Sequence, residues 1–147
     1  MMDRLDATKP PAWYWLVAVL ALLWEGAGCF AYVSQVGMSA DALAQLPAAQ
    51  REIWMMMPVW VTGAYAIAVW AGLAGAVALI VRRRWAQPLF LVSLAAAIVQ
   101  FGWTFLATPI MRTVGAAAAV PFPIFIILVA ALLAWFSGRA AGRGWLR

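Results

Sequence analysis

The sequence predicts an all-α membrane protein, a four-transmembrane-helix bundle with both termini cytoplasmic. Three observations lead there. Hydrophobic residues make up 67% of the 147-residue chain and charged residues only 10%, too few to give a soluble core its polar shell. Four continuous apolar runs, at about 13–36, 58–81, 86–107 and 118–137, are each long enough to cross a bilayer core of about 30 Å. The basic residues are also segregated. Arg4, Lys9, Arg82, Arg83, Arg84, Arg139, Arg143 and Arg147 fall in the N-terminal tail, the second loop and the C-terminal tail, against only Arg51 and Arg112 in the first and third loops. By the positive-inside rule the first group is cytoplasmic, so both termini are expected inside. The runs lack the two-residue alternation of a β-barrel strand.

Each segment has a local reason. Pro10-Pro11 precedes the first helix, where a missing N–H costs nothing. Residues 27–29, Ala-Gly-Cys, faintly resemble a lipoprotein cleavage box, but Glu25 interrupts the apolar region and the run continues through Val33; the segment reads as a retained helix. Residues 38–57 form the one sizeable loop. In it Ser39 can cap a first turn and Pro47 can open a second, with Gln50, Arg51 and Glu52 against Ile53, Trp54 and three methionines, an amphipathic pattern suited to a membrane surface. The turn Arg82-Arg83-Arg84-Trp85 is tight, making the second and third helices antiparallel neighbours. Trp13, Trp15, Trp60, Trp85 and Trp145 fall at helix ends, where indole favours the interface; Trp24, Trp70, Trp103 and Trp135 lie deeper and read as packing residues, with lipid or partner contact as the alternative.

One residue stands out. Glu25 lies roughly 15–18 Å into the first helix, counted at about 1.5 Å per residue. A charge at the bilayer centre costs about 2.5–3.5 kcal/mol on insertion scales, so Glu25 should face protein or water. Ala18, Ala21, Gly28 and Tyr32 share its helical face. On the third helix Ser93, Ala97, Gln100 and Thr104 form a stripe of the same period, which brings Gln100 to about the depth of Glu25. Ala64, Ala68, Gly72 and Ala76 make a small-residue ridge on the second helix, allowing close approach of a neighbour. The expected site is therefore a buried polar centre of Glu25, Gln100, Thr104, Ser93 and Tyr32, enclosed by three helices. The fourth, without a polar residue before Ser137, is expected to face lipid or another subunit. Glu25 reads either as a proton or cation site or as a hydrogen-bonded packing pin.

Pro58-Val59-Trp60-Val61-Thr62-Gly63-Ala64, Ala66-Ile67-Ala68-Val69, Gly72-Leu73-Ala74-Gly75, the turn Arg82-Arg83-Arg84-Trp85-Ala86 with Pro88, and Arg143-Gly144-Trp145-Leu146 resemble a family of small four-helix bacterial inner-membrane proteins. Some of its members carry the label sugar transporter. The resemblance covers the second and third helices and the tail, and implies the fold and a bacterial inner-membrane location without any site residue. Sugar half-transporters differ, having three helices and a Pro-Gln pair. Small multidrug transporters share four helices and a glutamate in the first, but not the long first loop or the proline-rich start of helix four.

Catalysis is not expected. The chain has no histidine and one cysteine, no second buried carboxylate, and no phosphate-binding glycine loop. No cofactor is implied, and the basic residues flank apolar helices in a way that calls for lipid headgroups and not nucleic acid. The expected role is an accessory or assembly subunit packing against other membrane protein subunits. The alternative is a small proton-coupled transporter working as a homo-oligomer, with Glu25 as its proton or cation site.

Overall fold

The computed structural model describes residues 8–147, so Arg4 lies outside the described residues. In chain order the helices are α1 (Ala12–Val36), α2 (Ala40–Ala44), α3 (Ala48–Met56), α4 (Val59–Ile80), α5 (Ala86–Ala107), α6 (Ile110–Thr113), α7 (Ala116–Ala119) and α8 (Pro121–Gly142). Among the described residues there is no strand. Helices α1, α4, α5 and α8 are long and apolar enough to span a membrane. Their starts are set by proline: Pro11 and Pro58 occupy the caps of α1 and α4, and Pro121 is the first residue of α8, positions where the absent N–H would have no partner. The fourth span runs on to Gly142, beyond the expected stop at 137.

The four spans form a closed ring. Helix α4 packs between α1 and α5, and α5 packs against α8. Aromatic rings then join α8 to α1: Trp13 meets Phe136 at 5.9 Å, Tyr14 meets Phe136 at 5.7 Å, and Trp24 meets Phe125 at 5.4 Å between centroids. The expectation of three helices with a detached fourth is thus corrected. Ala130, Leu133, Ala134, Phe136, Ser137 and Ala140 of α8 are buried, because a face of small residues and leucines packs as well as a polar one. Trp70 and Trp135 point outward, as lipid or partner contact requires, whereas Trp145, expected at the interface, is only 8% exposed.

Small residues let the spans approach. Ala18 and Ala21 of α1 and Ala76 of α4 are buried in one cluster, and Gly75 faces the Phe90 ring, which an added Cβ would meet at 3.1 Å. In lipid such close packing replaces the hydrophobic effect as the main attraction between helices.

One end of the bundle is tied together by its backbone. Helix α4 closes with the amide of Arg83 on Ala78 O (2.7 Å) and that of Arg82 on Leu79 O (3.1 Å), the bond pair of a Schellman motif. Helix α8 closes the same way, through Trp145 N to Ala140 O (3.0 Å) and Gly144 N to Ala141 O (3.1 Å). Gly144 takes the left-handed position there (φ 75°), while in α4 it is Arg82 (φ 57°), at a steric cost of about 1–2 kcal/mol. Offsetting bonds are visible: Arg82 Nε donates to Trp145 O (2.8 Å) and its Nη2 to Thr8 O (3.1 Å). The last residues then run beside the α4–α5 turn, with Arg84 N on Arg147 O (2.9 Å) and Arg147 N on Arg82 O (2.6 Å). Both ends of the described chain and the α4–α5 turn therefore meet at one basic end.

Above this lies a packed half-bundle of Tyr14, Leu79, Phe90, Leu133 and Phe136. Tyr14 is fully buried and its hydroxyl donates to Leu79 O at 2.6 Å, tying α1 to the last turn of α4. Tyr14→Phe should lower unfolding stability by about 0.5–1.5 kcal/mol, since it removes one of the two hydrogen bonds that Leu79 O accepts while Arg82 N keeps the other. Thermal unfolding in detergent measures it, and an unchanged midpoint would show the bond to be dispensable.

At the opposite end Ser39 Oγ accepts from Ala42 N (3.2 Å) at the start of α2, and Pro47 precedes α3. Ile53 of α3 turns inward while Met55 and Met56 are exposed.

Candidate functional site

Five residues of α1 form one buried stripe: Tyr14, Ala18, Ala21, Glu25 and Cys29. Steps of four and three keep them on one face, so Glu25 turns inward for the same reason as its alanine neighbours. It sits at the middle of the helix and is 7% exposed. Its carboxylate lies against Gly72 of α4, where a Cβ would overlap both oxygens and the carboxyl carbon. Gly72 is therefore the seat of the carboxylate as well as part of a packing ridge. The other ridge members, Ala64, Ala68 and Ala76, are buried along α4.

Two hydroxyl- or thiol-bearing side chains fix the surrounding backbone. Ser93 Oγ donates to Ala68 O at 2.5 Å, linking α5 to α4. Cys29 Sγ donates to Val69 O at 3.3 Å, linking α1 to α4. Both spend their hydrogens on main-chain carbonyls.

Beyond Glu25 the ring of helices does not fill its own interior. It encloses a cavity of about 350 Å³ that all four spans line. Gln35 from the end of α1 and Phe122 from the start of α8 lie at its outer reach. The cavity therefore runs from mid-bundle toward the end opposite the basic one. One half of the bundle is packed and the other is hollow, with Glu25 at the boundary. Tyr65, Phe101 and Ile126 contribute to walls that are mainly apolar.

Gln100 enters the cavity from α5 and is 9% exposed. Among the described residues it makes no hydrogen bond to Glu25; the two face shared space. Among the described residues no fully sealed side-chain nitrogen or oxygen lacks a partner, so the unpaired polar atoms of both border space that a water-sized molecule reaches. Thr104 differs from its expected role: its hydroxyl donates to Gln100 O of its own helix (3.1 Å), and Thr108 repeats the pattern on Thr104 O. This back-bonding absorbs a hydroxyl inside an apolar helix. Tyr32 is half-buried and meets the Tyr65 ring edge-on at 5.1 Å. It supports a wall residue and does not line the cavity itself.

Gln35, Tyr65, Phe101, Phe122 and Ile126 also line the site and were not anticipated, and a signal existed for one: Tyr65 lies three residues before Ala68 on the inward face of α4. No group of three carboxylate, thiol or imidazole side chains comes together among the described residues. The site offers one carboxylate, two amides and aromatic rings.

Fold and site together define the class: a multi-pass helical membrane protein with an acid-bearing cavity inside its bundle. Neither a family model, nor a curated protein, nor a solved structure matches the chain.

Proposed function

We propose that the protein is a small carrier which binds a compact, largely apolar monovalent cation at Glu25, in competition with a proton. The observation that carries this reading is a single carboxylate facing a cavity of about 350 Å³ at the middle of a spanning helix. The volume lies within the range of small-molecule sites. A carboxylate at such depth needs a compensating positive charge, and a proton or a cation supplies it equally well. Since one group serves both, binding of one excludes the other. Tyr65, Phe101 and Phe122 add ring faces that favour a cation within about 6 Å. Gln100 supplies an amide oxygen for orientation.

The packed half of the bundle closes the route on the basic side. Transfer across the membrane then requires that half to open while the hollow half closes. The aromatic contacts between α1 and α8 are the natural place for that exchange, because rings can slide where Ser93 and Cys29 hold α4 to its other neighbours. We propose further that the basic end is cytoplasmic and the membrane a bacterial inner one, on the positive-inside asymmetry. The sequence resemblance to small bacterial four-helix inner-membrane proteins supports the same setting.

The accessory-subunit reading rests on the apolar fourth helix, the ten tryptophans and the lack of catalytic groups. Helix α8 supplies part of the cavity wall, and its outward Leu128, Leu132 and Trp135 suit lipid as well as protein.

A small aromatic quaternary ammonium, phenyltrimethylammonium, is the probe for this reading. Glu25→Gln should weaken its binding at least about tenfold, since a charged partner becomes a neutral one of the same shape. Equilibrium dialysis in detergent measures it, alongside thermal unfolding to establish that the variant is folded. Equal affinity in the folded variant would remove Glu25 from the site. Wild-type binding should also weaken on acidification, because protonation removes the charge the cation meets.

A further inference from the structure

Helix α8 carries a second pattern, at the basic end and outside the cavity. Leu128, Leu132, Trp135, Arg139 and Arg143 recur at steps of four and three, so they lie along one face. Leu128, Leu132 and Trp135 are each about 60% exposed. The stripe therefore runs from apolar to cationic along one outward surface. At its cationic end is a groove of about 470 Å³ lined by Gln87, Trp135, Gly138, Arg139, Gly142 and Arg143. Gly138 leaves room for the Gln87 amide, whose nitrogen an added Cβ would meet at 2.5 Å. The Arg139 guanidinium sits 5.4 Å from the Trp135 ring centroid and that of Arg143 5.3 Å from the Trp145 ring. Those rings hold both cations in place without using their hydrogen-bond donors. Among the described residues neither guanidinium donates to an acceptor. The described side-chain carboxylates lie elsewhere, Glu25 at mid-bundle and Asp41 and Glu52 in the α1–α4 connection; Asp3 and Asp6 are outside the described residues.

We propose that this groove is a site for an anionic glycerophospholipid. Its phosphate lies between Arg139 and Arg143, the Gln87 amide donates to the headgroup, and an acyl chain follows Trp135, Leu132 and Leu128. Charge complementarity selects the occupant: two fixed guanidiniums match a phosphate diester, and the apolar continuation matches a chain that free phosphate lacks. Each basic side chain near an anionic headgroup adds measurable attraction, and two together correspond to about tenfold or more in affinity.

Native mass spectrometry of the whole protein in detergent, with dioleoyl phosphatidylglycerol or dioleoyl phosphatidylcholine added, tests the site. Wild type should retain phosphatidylglycerol about tenfold better or more, a comparison that needs no variant. R139Q/R143Q should lose that preference, while R83Q/R84Q, which removes the same charge at the same end, should keep it. Inorganic phosphate should not displace the lipid. Equal retention of both lipids, equal loss in the two double variants, or displacement by inorganic phosphate would each overturn the proposal.

Discussion

Gly72→Val is expected to reduce phenyltrimethylammonium binding by on the order of a hundredfold while leaving a folded protein. The carboxylate of Glu25 occupies the space a side chain at position 72 would take. The valine must therefore push the carboxylate into the cavity or part α1 from α4. The first costs less, because the displaced atoms are the far end of a flexible side chain. Overpacking of this kind is worth about 1–3 kcal/mol in stability. Misplacing the one charged group of a site can cost about two decades in function. Glu25→Ala should then recover most of the stability lost in Gly72→Val, since it vacates the contested volume. Unfolding midpoints of the two single variants and the double variant give the coupling directly. Strictly additive effects would mean that the carboxylate does not rest on Gly72.

Loss of the final residues is the second large effect. Leu146 is 1% exposed and Trp145 8%, both seated in the cluster formed with Tyr14 and Phe136. The Trp145 ring meets Trp13 at 5.4 Å and Tyr14 at 5.9 Å. Leu146→Ala should cost about 2–5 kcal/mol, the usual range for emptying a buried leucine site. Deleting residues 145–147 should cost more. It removes both side chains, the backbone pairing with the α4–α5 turn, and the carbonyl that accepts from Arg82. Arg82 would then hold a left-handed conformation with one of its two compensating bonds gone. Cation binding should survive Leu146→Ala under conditions where the protein stays folded, because the cavity lies in the other half of the bundle. A deletion that shifts the unfolding midpoint no more than a surface substitution would contradict the role of the tail as a clasp.

Most of the architecture was legible in the residues. Long apolar runs bounded by prolines and arginines admit few solutions other than spanning helices, and proline marks the starts of α1, α4 and α8 because its geometry permits nothing else there. The inward faces of α1 and α5 were legible too. A single glutamate or glutamine in an apolar helix fixes which side turns from lipid, and Ala18, Ala21, Ala97 and Ser93 followed from spacing.

The arrangement of helices around the site was harder to read. Before Ser137 helix α8 has no polar residue to mark its inward face, and only packing in the cluster with Phe90 and Tyr14 decides that Leu133 and Phe136 turn in. Spacing also could not distinguish Thr104, which satisfies itself on its own helix, from Gln100, which does not. A hollow half-bundle depends on the volumes of all four spans at once. Periodicity within one helix carries no such information. The burial of Trp145 has a similar cause: a chain end reads as exposed until its backbone is seen paired to a distant turn.

The central claim is that one carboxylate serves cation and proton by turns. The most direct measurement is proton release when phenyltrimethylammonium is added to the protein in weakly buffered detergent solution, at a pH where binding is half-suppressed by acid. The account predicts that wild type releases protons in proportion to cation bound and that Glu25→Gln releases none. Cation binding by wild type with no proton release at any pH would contradict it.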